Sequence, residues 1–337
     1  MIITQTPLRM SFFGGGTDFP EFYREHKGSV ISTTFDKYCY VTVRHLPRFF
    51  AYSTELSYSI TERVTSTDEI RHPAIREAMK YLDLHELRLT YEADLPARSG
   101  LGTSSSFAVG LLNAFFALKG QYADKGKLAS DAIYLERVLC KEAGGEQDQI
   151  AAAFGGFNRI DFSADGYTVN PLIMLPERKR QLNDNLLLFF TGFSRFSCDI
   201  QVSTKQAITD KKRQLLEILS LVKEAEKILT SQYGDLKDFG ELLDHTWKIK
   251  RNLTSKISTD SIDELYNAAI KAGAVGGKLL GAGGGGFFLF YVEPGRKKAV
   301  QEALKSLLYV PFRFENQGTR IIHYMPENYE PVELLVG

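Results

Sequence analysis

The sequence predicts an α+β fold in two parts, divided near Leu182. Three observations carry this expectation. Strand-like and helix-like stretches do not alternate strictly, which argues against a doubly wound parallel sheet. The 337 residues suit one large or two ordinary domains and can bury a sizeable core. The pattern also changes near residues 165–185: Asp165-Gly166 marks a turn, residues 176–185 are polar, and residues 185–191 then read as a fresh buried strand. The expected division is residues 1–181 and 182–337.

The elements follow in order. Met1-Ile2-Ile3-Thr4-Gln5-Thr6-Pro7 lacks the charged start and long apolar stretch of a signal peptide and reads as the first strand. Strand-like Arg9-Met10-Ser11-Phe12-Phe13 comes next. Residues 34–43 and 87–92 alternate as strands do. Residues 110–118 form a helix with a broad apolar stripe, and residues 131–141 form a second that stops at Gly144-Gly145. Both begin after Ser, Thr or Asp. A shorter helix is expected over 147–153. Past the division come helical stretches over 203–231 and 236–253, a glycine-rich loop, a strand over 287–292 and a helix over 296–307.

Composition removes several classes of function. Apolar residues make up 44% and charged residues 24%, ordinary values for a globular chain. Lysine plus arginine balance aspartate plus glutamate, 41 against 41, so no long-range field draws the chain to nucleic acid or acidic membranes. Three cysteines, Cys39, Cys140 and Cys198, show no CxxC spacing and read as free thiols rather than a disulfide scaffold or zinc site. No apolar run approaches the ~20 residues that span a bilayer. A cytoplasmic protein with no nucleic-acid or membrane partner is expected; a homodimer is compatible with this class.

Three glycine-rich segments carry the chemistry. Pro96-Ala97-Arg98-Ser99-Gly100-Leu101-Gly102-Thr103-Ser104-Ser105-Ser106 runs into a helix at Phe107. Glycines let backbone approach a polyanion, and a helix start offers unpaired N–H groups and a positive dipole end. A helix cap with a glycine turn would explain one Ser and one Gly, but not four hydroxyls in a row. Gly281-Ala282-Gly283-Gly284-Gly285-Gly286 contains GxGxxG but leads into a strand, so a dinucleotide fingerprint fails on context. Neither segment has the Gly-Lys-Ser/Thr ending of a P-loop, and no His-Arg-Asp or Asp-Phe-Gly triplet of a protein kinase occurs. Gly14-Gly15-Gly16-Thr17-Asp18 places an acid after a glycine turn, where it can accept bonds from sugar hydroxyls; a hairpin turn is the equal alternative. Glu136 within a helix could ligate Mg²⁺ beside the Ser104 hydroxyl. Asp148, at a helix start, could orient or deprotonate a substrate hydroxyl. By spacing alone both are ordinary surface acids.

Together these segments resemble the galactokinase–homoserine kinase–mevalonate kinase–phosphomevalonate kinase (GHMP) superfamily. Its first motif resembles Thr6-Pro7-Leu8-Arg9 through Asp18, its second Leu95 through Ser106, and its third Lys278-Leu279-Leu280 followed by the Gly281 to Gly286 run. The resemblance implies an N-terminal domain like ribosomal protein S5 domain 2, a ferredoxin-like C-terminal domain, and ATP between them. It implies that Gly100, Leu101, Gly102, Thr103, Ser104 and Ser105 hold the ATP phosphates and that Ser104 and Glu136 hold Mg²⁺. Asp148 matches the aspartate facing the hydroxyl to be phosphorylated, and Arg9 its basic neighbour. Asp18, Gly15, Gly16, Arg195, Gly283 and Gly284 are implied on the substrate side.

Galactokinases read Gly-Glu-His-Thr-Asp where this chain reads Gly14-Gly15-Gly16-Thr17-Asp18, so a roomier pocket is expected. The glycine run, Pro96 to Gly102, Ala143-Gly144-Gly145 with Gln147-Asp148-Gln149, and Thr191-Gly192-Phe193-Ser194-Arg195 look like the D-glycero-D-manno-heptose 7-phosphate kinase branch. The implied reaction is phosphorylation of that sugar's anomeric hydroxyl to the 1,7-bisphosphate, on the way to nucleotide-activated heptose. Alternatives are a kinase for an unphosphorylated sugar (L-fucose, mannose, a free heptose), a non-catalytic sugar sensor, and a related diphosphate decarboxylase. Intact Ser104, Glu136 and Asp148 argue against the sensor.

Overall fold

The N-terminal alternation becomes one long strand, β1 (Ile2–Phe13), antiparallel to β2 (Gly28–His45). Between them lies helix α1 (Pro20–His26), opened by a proline at its first position. The computed structural model describes residues 1–97, 99–192, 205, 211–254 and 257–326. β2 is long enough to serve two neighbours. Its first half pairs with β6 (Phe157–Ser163) and its second with β5 (Leu87–Ala93). Strands β3 (Thr54–Ser57) and β4 (Thr61–Val64) extend the sheet beyond β5, and β7 (Gly166–Pro171) pairs with β6 across the turn expected at Asp165-Gly166.

Four further helices belong to this first part: α2 (Pro73–Tyr81), α3 (Thr103–Leu118), α4 (Lys125–Tyr134) and α5 (Gln147–Phe154). Helix α3 begins at Thr103, earlier than its apolar stripe suggests. Every residue from Ser105 to Ala117 is buried, so no polar face marks where the helix starts. Helix α4 likewise begins before residue 131, because the Asp124 side chain accepts from Lys127 N at 2.7 Å and caps it. It continues into a π-helical turn, Leu135–Leu139.

The polar stretch before the second part is itself a helix, α6 (Pro176–Asp184). Its Arg178 donates to the carbonyls of Ile228, Leu229 and Gly234, tying it to the end of helix α7 (Lys212–Thr230). Next to α6 runs β8 (Leu186–Phe190), and after α7 come α8 (Lys237–Arg251), α9 (Asp260–Lys271), β9 (Gly276–Leu279), β10 (Phe287–Tyr291), α10 (Lys297–Ala303) and β11 (Leu308–Tyr309). The four strands lie in the order β11-β8-β10-β9, all antiparallel. Numbered along the chain this is 4-1-3-2, the ferredoxin-like arrangement. The fold is therefore α+β, as expected.

The chain then returns. β12 (Phe314–Glu315) pairs with β2, and β13 (Arg320–Tyr324) forms the edge beside β1. Residues 314–324 thus complete the first sheet although they follow the second part in sequence. One apolar cluster joins the two parts: Leu8, Met10 and Phe12 of β1 meet Leu188, Phe239 and Leu289, with the Phe12 ring stacked on Phe157 at 5.3 Å and edge-on to Phe239 at 5.4 Å. Among the described residues no helix is long and apolar enough to cross a membrane.

The returning segment rests on Gly155, at φ +67°. A Cβ there would lie 2.0 Å from the backbone of Gln317 and Gly318. Gly155→Val should lower the melting temperature by roughly 5 °C or more, since left-handed strain of ~1–3 kcal/mol is joined by a backbone clash. Gly166→Ala, also at positive φ but with open space around it, carries strain alone and should cost less. Equal shifts in thermal denaturation would mean that the C-terminal segment does not dock firmly there.

Candidate active site

The first glycine segment forms a tight loop leading into α3. Gly100 and Gly102 adopt φ +84° and +74°. Gly102 caps α3 without a side-chain hydrogen bond, so the first-turn amides keep their donors for an anion. The four hydroxyls divide their roles. Ser106 donates to Pro7 O at 2.9 Å and fastens the helix to β1. Ser104 and Ser105 donate to the two oxygens of Glu136, at 2.9 and 2.8 Å. Among the described residues the buried hydroxyls of Thr103 and Ser99 have no partner.

The second glycine segment lies directly on the first. A Cβ on Gly100 would stand 2.4 Å from Leu280 O, one on Gly281 2.3 Å from Gly100 Cα, and one on Gly286 2.2 Å from Ser99 O. The glycines are needed because two backbones touch.

Arg9, on β1, is 4% exposed and turned toward α5. Its Nε and Nη2 donate to the two oxygens of Asp148 at 2.7 and 2.6 Å, and its Nη1 donates to Gly100 O at 2.8 Å. A bidentate pair of this kind fixes both planes. Asp148 sits in the first turn of α5 and remains half-buried, so its carboxylate is held yet reachable. Beside it Asp18 accepts from Gly16 N at 3.0 Å and from Gln147 Nε2 at 3.0 Å. Gly145 makes room for it; a Cβ there would lie 1.9 Å from Asp18 Oδ2. Burial, then the neighbouring Asp148 charge, raise the Asp18 carboxyl above its usual range, while its hydrogen bonds pull the other way.

These groups line one cavity between the two parts. Arg9, Gly15, Gly16, Asp18 and Asp148 all face it, as their motif positions imply. Gly283 and Gly284 do not. From the second loop it is Gly281 and Ala282 that line the cavity, while Gly283 abuts the Ile257 backbone and Gly284 N donates to Ile257 O at 2.9 Å. Arg195 lies outside the described residues.

Four polar lining residues were not among the expected site residues: Ser11, Gln147, Lys250 and Lys278. Gln147 stands beside Asp148 in a quoted motif, and Ser11 follows Arg9 by two on a strand, hence on the same face; those were the available signals. Among the described residues Ser11 Oγ and Gln147 Oε1 are buried without protein partners. Lys278 opens the third motif, which was its signal; Lys250 gave none. Lys278 on β9 is 2% exposed and donates to Phe12 O at 2.7 Å; Lys250 on α8 donates to Gly281 O at 2.7 Å. Burial, reinforced by Arg9, pushes the Lys250 amine down to about 8; burial, Lys250 and Arg9 push Lys278 well down too.

Ser104 and Glu136 suit a magnesium ion in their donor chemistry. They offer two hard oxygens side by side, and Mg²⁺ takes few protein ligands when phosphates and water supply the rest. Glu136 is buried and held by Ser105 and Gln149, whereas Ser104 is exposed on the loop side.

The family models for "GHMP kinases N terminal domain" and "GHMP kinases C terminal" match residues 70–156 and 220–310. The chain is 30% identical to the D-glycero-alpha-D-manno-heptose 7-phosphate kinase of Campylobacter jejuni, over 95% of this chain and 98% of the relative. Its fold matches the structure of a D-glycero-D-manno-heptose 1-phosphate kinase from Bacteroides thetaiotaomicron, with TM-score 0.72 and 27% identity over 95% and 98% of the two chains. Lactococcus lactis galactokinase, at 16% identity, 95% and 94% coverage and TM-score 0.73, shares the fold. Fold, site and relatives define a phosphotransferase that acts on a hydroxyl group, of the sugar-kinase type. The chain belongs to the GHMP kinase family.

Asp18 is a buried carboxylate whose ionisation the fold disfavours. A folded-state pKa above the unfolded value means that stability is lost as pH rises through it. Asp18→Asn should therefore melt no lower than the parent protein at pH 7–8, while KM for the sugar rises at least roughly tenfold as a charged acceptor is lost. Thermal melts and steady-state kinetics check both; a large loss of stability would make Asp18 a structural anion.

Proposed function

We propose that this kinase transfers the γ-phosphoryl group of ATP to the anomeric hydroxyl of D-glycero-D-manno-heptose 7-phosphate, giving the 1,7-bisphosphate and ADP. The observation that carries the reading is the Asp148 carboxylate, gripped by Arg9, facing the cavity and lying close to Gly102, the residue that caps α3. The sugar oxygen forms its bond to the γ-phosphorus, the bond to the β–γ bridging oxygen breaks, and the hydroxyl proton goes to Asp148. Arg9 keeps that carboxylate aimed until the proton arrives. Backbone amides of the Gly100–Ser105 loop cradle the phosphates. Mg²⁺ held by Ser104 and Glu136 would supply charge neutralisation on the triphosphate.

The choice of heptose rests on two supports. The Campylobacter jejuni relative is a heptose 7-phosphate kinase by name and aligns along nearly its whole length. At Gly15 a Cβ would meet only the Lys250 amine, at 3.9 Å, so the sugar side has room that a larger residue would fill. The Bacteroides relative carries its phosphate at another position in its name, so the 7-phosphate belongs to the proposal.

A panel of sugars decides it. The heptose 7-phosphate should exceed galactose in kcat/KM by at least roughly a hundredfold, because polar groups built around one substrate reject another that leaves them unpaired. If free fucose, mannose or heptose proves the better substrate, the phosphate assignment falls and the sugar-kinase assignment stands. With the best sugar, Asp148→Asn should lower kcat by about 10²–10⁴ and leave nucleotide affinity nearly unchanged. A loss below about tenfold would remove the proton-accepting role from this residue.

A further inference from the structure

We propose that Lys250 is a second catalytic cation, donating to the phosphoryl group in transfer from the Gly281 side of the loop seam, with Arg9 on the Gly100 side. The two cations are anchored alike. Arg9 Nη1 hangs on Gly100 O at 2.8 Å and Lys250 Nζ on Gly281 O at 2.7 Å. Gly100 and Gly281 are the residues where the two glycine loops touch, so the cations flank one seam. Asp148 belongs to the same place: a Cβ on Gly102 would lie 3.1 Å from Arg9 Cγ and 3.5 Å from Asp148 Oδ2. A phosphoryl group that leaves the α3 start for a hydroxyl held at Asp148 crosses that seam.

The chemistry of the amine fits this position. A lysine ammonium has three donors, and the protein uses one of Lys250's, on the Gly281 carbonyl. Among the described residues Lys250 forms no ion pair. The charged groups that face it are Arg9, Asp18, Asp148 and Lys278. Fully ionised, that set with Lys250 holds three cations and two carboxylates, an excess positive charge suited to an arriving anion. Burial and Arg9 weaken the amine's hold on its proton, to about 8, and a phosphoryl oxygen would restore it. Lys250 comes from α8 in the second part, whereas Arg9 and Asp148 come from the first. The charge on the moving group is thus met from both halves of the molecule.

The inference rests on the kinase reading but not on the identity of the sugar, since variant and parent are compared with whichever sugar the parent accepts. Lys250→Met should lower kcat by about 10²–10³ with KM values for sugar and ATP within about threefold, the signature of a contact strengthened in the transition state. Lys250→Arg should recover part of that loss. In the parent enzyme kcat/KM should fall above about pH 8 as the amine loses its proton. The Lys250→Arg variant should lose that alkaline limb, because a guanidinium stays charged. Thermal melts and ATP affinity check folding, and the arginine variant carries the test if the methionine variant does not fold. Three results overturn the proposal: a Lys250→Met kcat within about threefold of the parent; an alkaline limb unchanged in Lys250→Arg; or a loss confined to KM for a phosphorylated sugar and absent with its unphosphorylated form. The last would assign the amine to the sugar's own phosphate.

Discussion

No side chain fits where the two glycine loops meet, and the rest of the site is arranged around that constraint. Gly100, Gly281 and Gly286 bring their backbones into direct contact with the facing loop. One loop introduces α3 in the first part, and the other joins β9 to β10 in the second. Their contact fixes the halves in register at the proposed phosphate site, and it leaves carbonyl oxygens for Arg9 and Lys250 to hold. The apolar cluster around Phe12 and Phe239 supplies the cohesion behind this seam.

Charge is then gathered where burial makes it costly. Asp18 ionises less readily than a free aspartate, and Lys250 and Lys278 release their protons more readily than free lysines, in each case chiefly from desolvation. A preorganised site accepts such costs, because groups already stripped of water act strongly on charge that appears during reaction. Backbone atoms offset part of the cost: Gly16 N serves Asp18, Gly281 O serves Lys250 and Phe12 O serves Lys278. Glu136 is likewise buried and held by donors. The π-helical turn Leu135–Leu139 holds it, and three side-chain donors, Ser104, Ser105 and Gln149, converge on its carboxylate. Turns of this type recur at functional sites because one extra residue re-aims the side chains.

Much of this was legible in the sequence, and what was not has identifiable causes. β1, β5, β8, β10 and the turn at Asp165-Gly166 follow from alternation or punctuation, which are local signals. β12 and β13 were invisible because they are short and owe their existence to partners far away in sequence. The α3 start was displaced because a helix buried on all sides has no polar face to announce it. In the site, Arg9, Asp18, Ser104, Glu136 and Asp148 belong to recognisable motifs, and folding brings them together in two neighbouring clusters. Lys250 lies between Lys248 and Arg251 on a helix of ordinary amphipathic pattern. Only tertiary packing separates it from its solvated neighbours. Gly283 and Gly284 illustrate the reverse: the motif was visible, but their glycine character serves the Ile257 contact rather than the cavity.

On the proposed function, the groups that discriminate between sugars differ from those that move the phosphoryl group, although both line the same cavity. Arg9 and Asp148 satisfy each other and need only a hydroxyl at one face. Ser11 Oγ and Gln147 Oε1 are buried in the cavity wall without partners among the described residues, and Asp18 keeps lone pairs beyond those its described donors use. Each such group carries a penalty of ~1–3 kcal/mol until a ligand completes its hydrogen bonds. A sugar whose hydroxyls reach all three recovers that energy; one that misses a single group forfeits it. The glycines at 15 and 16 add volume without adding a donor or acceptor side chain, so they widen the choice by shape while Ser11, Asp18 and Gln147 narrow it by chemistry. On the proposed function, specificity is therefore set by Ser11 on β1, Asp18 on the turn after it and Gln147 at the start of α5, while the transfer machinery at the loop seam stays indifferent to the sugar.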